Sequence, residues 1–135
     1  MKKLILLLFI SLFLTSEFFS QSQTEMNEVA ELKYLKVDSE LNDVYKQIRN
    51  EYRTNPKFLN NLKLAQRSWI EFRDASVRLM FPNNQTGQNY NGSSNQMCVF
   101  QELTNLTKNR IKELRLFLTG VEEGDVCFGS INIKN

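Results

Sequence analysis

The sequence predicts an all-α domain: a three-helix antiparallel (up-down-up) bundle with an extended C-terminal tail. Three observations predict it. Apolar residues recur at steps of three, four or seven over three long stretches. Pro56 and Pro82 interrupt the pattern where one helix must give way to the next. Helix-capping signals stand at the expected ends, with the Ser22-x-x-Glu25 spacing before the first helix and Gly120 after the last periodic position.

The chain has 135 residues and opens on Met1-Lys2-Lys3 followed by the apolar run Leu4 to Leu14. A charged start and a run of that length read as a secretory signal, because a membrane span needs about 20 apolar residues. Ser20 and Ser22 offer small residues at alternate positions, so residues 1–22 are expected to be removed, with an uncleaved anchor as the alternative. No cysteine lies near this boundary to take a lipid. The expected organisation is a signal peptide over 1–22, a helical domain over 23–120 and a tail over 121–135. That places the protein outside the cytoplasm, periplasmic or extracellular, with no membrane insertion once the signal is gone.

Ser22 and Glu25 have capping-box spacing, so the first helix is expected to begin there. Its apolar positions run Met26, Val29, Leu41, Val44, Ile48 and Tyr52, with Leu32, Leu35, Val37 and Tyr45 filling the stripe to about Arg53. The short Thr54-Asn55-Pro56 turn leads into a second helix from Pro56 to Met80, antiparallel to the first. Phe58, Leu62, Ala65, Trp69, Phe72 and Leu79 form its expected buried stripe, centred on the only tryptophan. Leu41, Tyr45, Trp69 and Phe72 are assigned to the core. Arg73 lies beside that stripe, and its guanidinium is expected either to pair with an acid on another helix, Asp38 or Glu40, or to sit as an ordinary edge arginine.

Residues 83–95 form a polar, asparagine-rich loop with Asn91-Gly92 as its turn. A third helix is expected from Gln96 to about Leu118, with Phe100, Leu103, Thr107, Ile111, Leu114 and Leu118 on one face. The last fifteen residues alternate weakly at Val126, Phe128, Ile131 and Ile133, as a tail laid along the helices or fraying from them.

Composition excludes several functions. Discounting residues 1–22 removes Lys2, Lys3 and Glu17, leaving 15 basic and 14 acidic side chains, so no nucleic-acid footprint is expected. The chain has no histidine, which removes the usual general base and the commonest metal ligand. Glu71 and Asp74 share a helical face, but Arg67 and Arg78 stand four residues away, with Lys63 a turn before Arg67, as on a solvated, salt-bridged surface. No catalytic, cofactor-binding or metal site can be assembled, so no enzyme is expected. Cys98 and Cys127 in an exported chain suggest a disulfide first. An unbroken helix carries Cys98 about 31 Å from Thr119, while eight extended residues return at most about 28 Å. The bridge therefore closes only if the tail runs straight back or the helix ends early. Free or intermolecular thiols are the alternative.

Thr24-Glu25-Met26-Asn27, Asp38-Ser39-Glu40-Leu41-Asn42-Asp43-Val44-Tyr45 and Ala65-Gln66-Arg67-Ser68-Trp69-Ile70-Glu71-Phe72-Arg73-Asp74-Ala75 occur in that order. With Cys98, Leu103, Thr107, Arg110 and Leu114, they resemble the lysozyme-inhibitor LprI-type N-terminal domain family over about residues 24–118. The family's cysteines usually stand near the positions held here by Val29 and Ser76, which leaves Cys98 without its usual mate. The resemblance thus makes Cys127 the substitute and favours the Cys98–Cys127 bridge. It further implies a small envelope protein that binds a protein partner, lysozyme or a related muramidase, with no cofactor. The alternative is a structural or stress-related envelope interaction module. Candidate contacts are Tyr90 and Asn91 in the polar loop and Glu122, Glu123 and Asp125 in the tail. A second acidic patch could be drawn from Glu25, Glu28, Glu31 and Glu40.

Overall fold

The computed structural model describes residues 2–82, 93–122, 127 and 129–131, with side chains from residue 23 to 82, from 95 to 122, and at 127 and 129–131. Three helices follow in order: α1 (Lys2–Glu51), α2 (Pro56–Met80) and α3 (Ser93–Thr119). α1 and α3 run parallel, since Tyr34 meets Phe100 near the start of α3 and Tyr52, further along the chain, meets Phe117 near its end. α2 runs antiparallel to both, giving the up-down-up order, and it packs more lightly than α1 and α3 pack on each other.

Helix α1 does not begin at the expected capping box. It passes unbroken through Ser22 from Lys2. Neither Gly nor Pro stands anywhere before Pro56, so nothing in the chain stops helix propagation across that boundary. α1 ends at Glu51, and Asn55 then caps α2, its side-chain oxygen accepting from the Phe58 amide at 3.0 Å. α3 starts at Ser93, so Ser93, Ser94 and Asn95 belong to the helix and not to the loop. The Asn91-Gly92 turn lies outside the described residues. Gly120 closes α3 in the left-handed conformation, φ 72°, its amide bonded to the Leu116 carbonyl at 2.9 Å.

The core is built from Val37, Leu41, Val44, Ile48 and Tyr52 of α1, Phe58 and Leu62 of α2, and Ile111 and Leu114 of α3. Tyr45 and Trp69 pack partly buried against it. Early in α1 the buried line is not the expected one: Met26, Val29, Leu32 and Leu35 are exposed, while Gln23, Asn27 and Ala30 are buried. The reason is a polar layer. Gln23 Nε2 donates to Asn27 Oδ1 at 3.3 Å, and Asn27 Nδ2 donates to Gln96 Oε1 of α3 at 3.5 Å. Buried amides are tolerated where they satisfy one another.

A second correction concerns α2. Phe58 and Leu62 are buried and Trp69 is half-buried, but Ala65 is exposed, Phe72 is 59% exposed and Leu79 is 83% exposed. Seven residues fall just short of two helical turns, so a line of seven-residue steps drifts about 20° per step around the helix. The line Phe58–Ala65–Phe72–Leu79 therefore starts in the core and winds out of it.

Ser130 of the tail lies at the end where α1 and α3 finish. The Tyr52 hydroxyl lies 3.2 Å from the Phe117 carbonyl and 3.4 Å from that of Ser130. Cys98 is about 28 Å from Phe117 along α3, and Cys127 stays within about 10 Å of Ser130. The expected Cys98–Cys127 bridge is accordingly absent. Both cysteines are free, Cys98 half-buried and Cys127 exposed.

Candidate functional site

The densest set of charged and aromatic contacts forms around Trp69. Gln66, Trp69 and Arg73 lie three and four residues apart, which puts them on one edge of α2. Arg73 stands over the Trp69 ring at 5.4 Å, and Arg110 of α3 approaches the same ring at 5.9 Å. Each guanidinium is held in place by further groups. Arg110 donates through Nε to Gln66 Oε1 at 3.1 Å and through Nη1 to Glu113 at 3.0 Å. Arg73, 14% exposed, donates to Asp74 at 2.9 Å and to the Tyr34 hydroxyl at 3.3 Å, with Asp38 at 3.8 Å.

The sequence motif from Gln66 to Asp74 is thus a fastening between helices. Trp69 fills the space, Gln66 reaches α3 and Arg73 reaches α1. Of the two acids expected for Arg73, Asp38 takes the role, while Glu40 pairs with Arg115 at 2.6 Å. Tyr34 closes the set, and burial pushes its phenol above the usual 10.0. Arg73 opposes that rise, and Asp38 and Asp74 add to it. Tyr34 was not singled out by sequence, and Arg110 entered only among the residues of the resemblance, with no contact assigned to it. Their signal was available in spacing: Tyr34 is four residues before Asp38, and Arg110 precedes the core residue Ile111.

The expected salt-bridged face of α2 is not formed. Asp74 turns to Arg73, and Glu71, Arg67, Arg78 and Lys63 make no ion pair among the described residues. Among the described residues no cluster of three or more His, Cys, Asp or Glu could hold a metal.

Of the candidate contacts, Glu122 is exposed beside the buried Val121, while Tyr90, Asn91, Glu123 and Asp125 lie outside the described residues. Glu25 and Glu28 are exposed on α1. An apolar groove of about 380 Å³ opens between α2 and α3, walled by Phe58, Leu62, Ala65, Leu114 and Phe117, with Arg110 at its side. No helix among the described residues is long and apolar enough to cross a membrane.

No functionally curated protein matches the chain. A crystal structure of a DUF1311 family protein from Pseudomonas putida KT2440 shares its fold, with a TM-score of 0.57 and 17% identity. The likeness covers 67% of this chain and 88% of that one. The sequence model of the family described as lysozyme inhibitor LprI matches residues 17–114, nearly three-quarters of the chain. By that match, which takes in α2 and most of α3, the chain belongs to the lysozyme inhibitor LprI family.

Proposed function

We propose that the protein is exported through removal of residues 1–22 and works outside the cytoplasm by binding, occupying lysozyme or a related muramidase and so inhibiting it. The family match over residues 17–114 carries this reading. The Trp69 fastening gives such a binder a fixed frame: Arg73 and Arg110 are held by Asp74, Asp38, Tyr34, Gln66 and Glu113, an arrangement that ties the helices together. The domain spans 23–120, and residues 121–135 are a tail.

The contact surface is assigned to the tail acids Glu122, Glu123 and Asp125, together with Tyr90 and Asn91 in the polar loop. Lysozymes of the animal type are basic, and acidic groups raise the rate of encounter with a basic partner. The near-balanced charge of residues 23–135 favours a second reading, an envelope interaction module with a different protein target. Titration calorimetry of the exported protein with lysozyme, at low and moderate salt, separates the two. One-to-one binding that weakens with salt is the expected result. Absence of heat with every lysozyme type would remove the first reading.

A further inference from the structure

The exposed face of α2 carries a pattern that the Trp69 fastening does not use. Ala65, Ser68, Phe72, Ala75 and Leu79 follow steps of three and four residues, the alternation of a coiled-coil seam, and all are exposed. No charged residue interrupts the seam. Such a stripe on a solvated helix marks a surface that another helix covers.

We propose that α2 pairs antiparallel with α2 of a second copy of this chain, about a two-fold axis at the level of Arg73 and Asp74. Two features of the seam select a second copy. The first is size. In this register Phe72 lies opposite the second copy's Ala75, and Leu79 opposite its Ser68, so both of these layers set a large side chain against a small one, while Ala65 falls beyond the end of the partner helix. A two-fold axis makes each layer occur twice, which only a self-complementary stripe can satisfy. The second is charge. Glu71 and Arg78 stand together along one edge of the seam, exposed and with no ion pair among the described residues. In the same register Glu71 of one copy comes within about 3 Å, along the axis, of the level of Arg78 on the other, again twice. Edge pairs of this kind set partner and orientation in helix pairs.

The dimer is weak and depends on concentration. One helix pair falls below the about 1,200 Å² at which standard interfaces begin. The proposal stands apart from the binding of lysozyme and concerns a different surface from the tail and the polar loop.

The test is sedimentation equilibrium on protein secreted from the full-length coding sequence. The parent should approach twice the chain mass as concentration rises. Glu71→Arg alone sets Arg against Arg, and Arg78→Glu alone sets Glu against Glu, so each should weaken self-association by roughly tenfold or more. An equimolar mixture of the two variants brings opposite charges together at both edge positions, and it should dimerise again. Leu79→Glu should leave only monomer, and it changes a side chain too exposed to affect folding. A parent that stays monomeric at every concentration overturns the proposal. So does a dimer that neither the charge reversals nor Leu79→Glu disturbs. A monomer in which Leu79→Glu instead removes lysozyme binding would assign the seam to a foreign partner and overturn it as well.

Discussion

Arg73 of α2 and Tyr34 of α1 meet at 3.3 Å, and this contact ties the lightly packed second helix to the first. The same guanidinium takes Asp74 and Asp38 and covers one side of Trp69. One side chain thus joins the sequence motif, the helix packing and the orientation of α2.

Replacing Arg73 with Met should lower stability by about 1–3 kcal/mol, because it strands the Tyr34 hydroxyl and two carboxylates. Arg73→Lys should recover only part of that, since an ammonium lacks the planar fork. Urea unfolding measures both. A Met variant as stable as the parent would show that the fastening contributes nothing.

Tyr34 makes the fold sensitive to high pH. Its phenol holds its proton more tightly in the folded state than in the unfolded state, where it titrates near 10.0. Folding therefore gains from Tyr34 below pH 10, and that gain is lost as pH rises past 10 through the higher folded value. Stability measured across this range should fall more steeply in the parent than in Tyr34→Phe.

Phe72 and Leu41 belong to the same family signature but should behave differently. Leu41→Ala opens the core and should cost about 2–5 kcal/mol. Phe72→Ser changes a face exposed in the monomer and, at concentrations too low for self-association, should stay within about 0.5 kcal/mol of the parent. Thermal unfolding of the two variants distinguishes them.

Thr107 is fully buried, and its hydroxyl has no hydrogen-bond partner among the described residues. Thr107→Val replaces that hydroxyl with a methyl of similar shape and should raise stability by about 1–2 kcal/mol. A loss of stability in the same denaturant series would mean that the hydroxyl is satisfied in solution.

Elements set by local chemistry were legible in the sequence. Pro56 and Asn55 mark the start of α2, Gly120 ends α3, and the steps from Val37 to Tyr52 mark the buried face of α1. Arg73 was legible too, as a charge placed beside an aromatic core. What escaped depends on geometry between elements. Gln23 and Asn27 are polar, and only their bonds to each other and to Gln96 make burial acceptable. Phe72 and Leu79 are apolar at helical spacing, yet the accumulated drift of seven-residue steps carries them out of the core. The cysteine pair failed for a similar reason: their proximity depends on where the tail lies, and Ser130 holds it at Tyr52, far from Cys98. Alkylation of the native protein should accordingly modify Cys127 faster than Cys98, and reductant should leave the melting temperature unchanged.

The most direct measurement is a lysis titration. The exported protein would be added stepwise to lysozymes of the animal and other types acting on cell-wall substrate. Inhibition that rises linearly and saturates near one protein per enzyme is the predicted result. Undiminished lysis by every enzyme, with the protein folded and in excess, would contradict the inhibitor reading and leave the helical fold to serve another envelope partner.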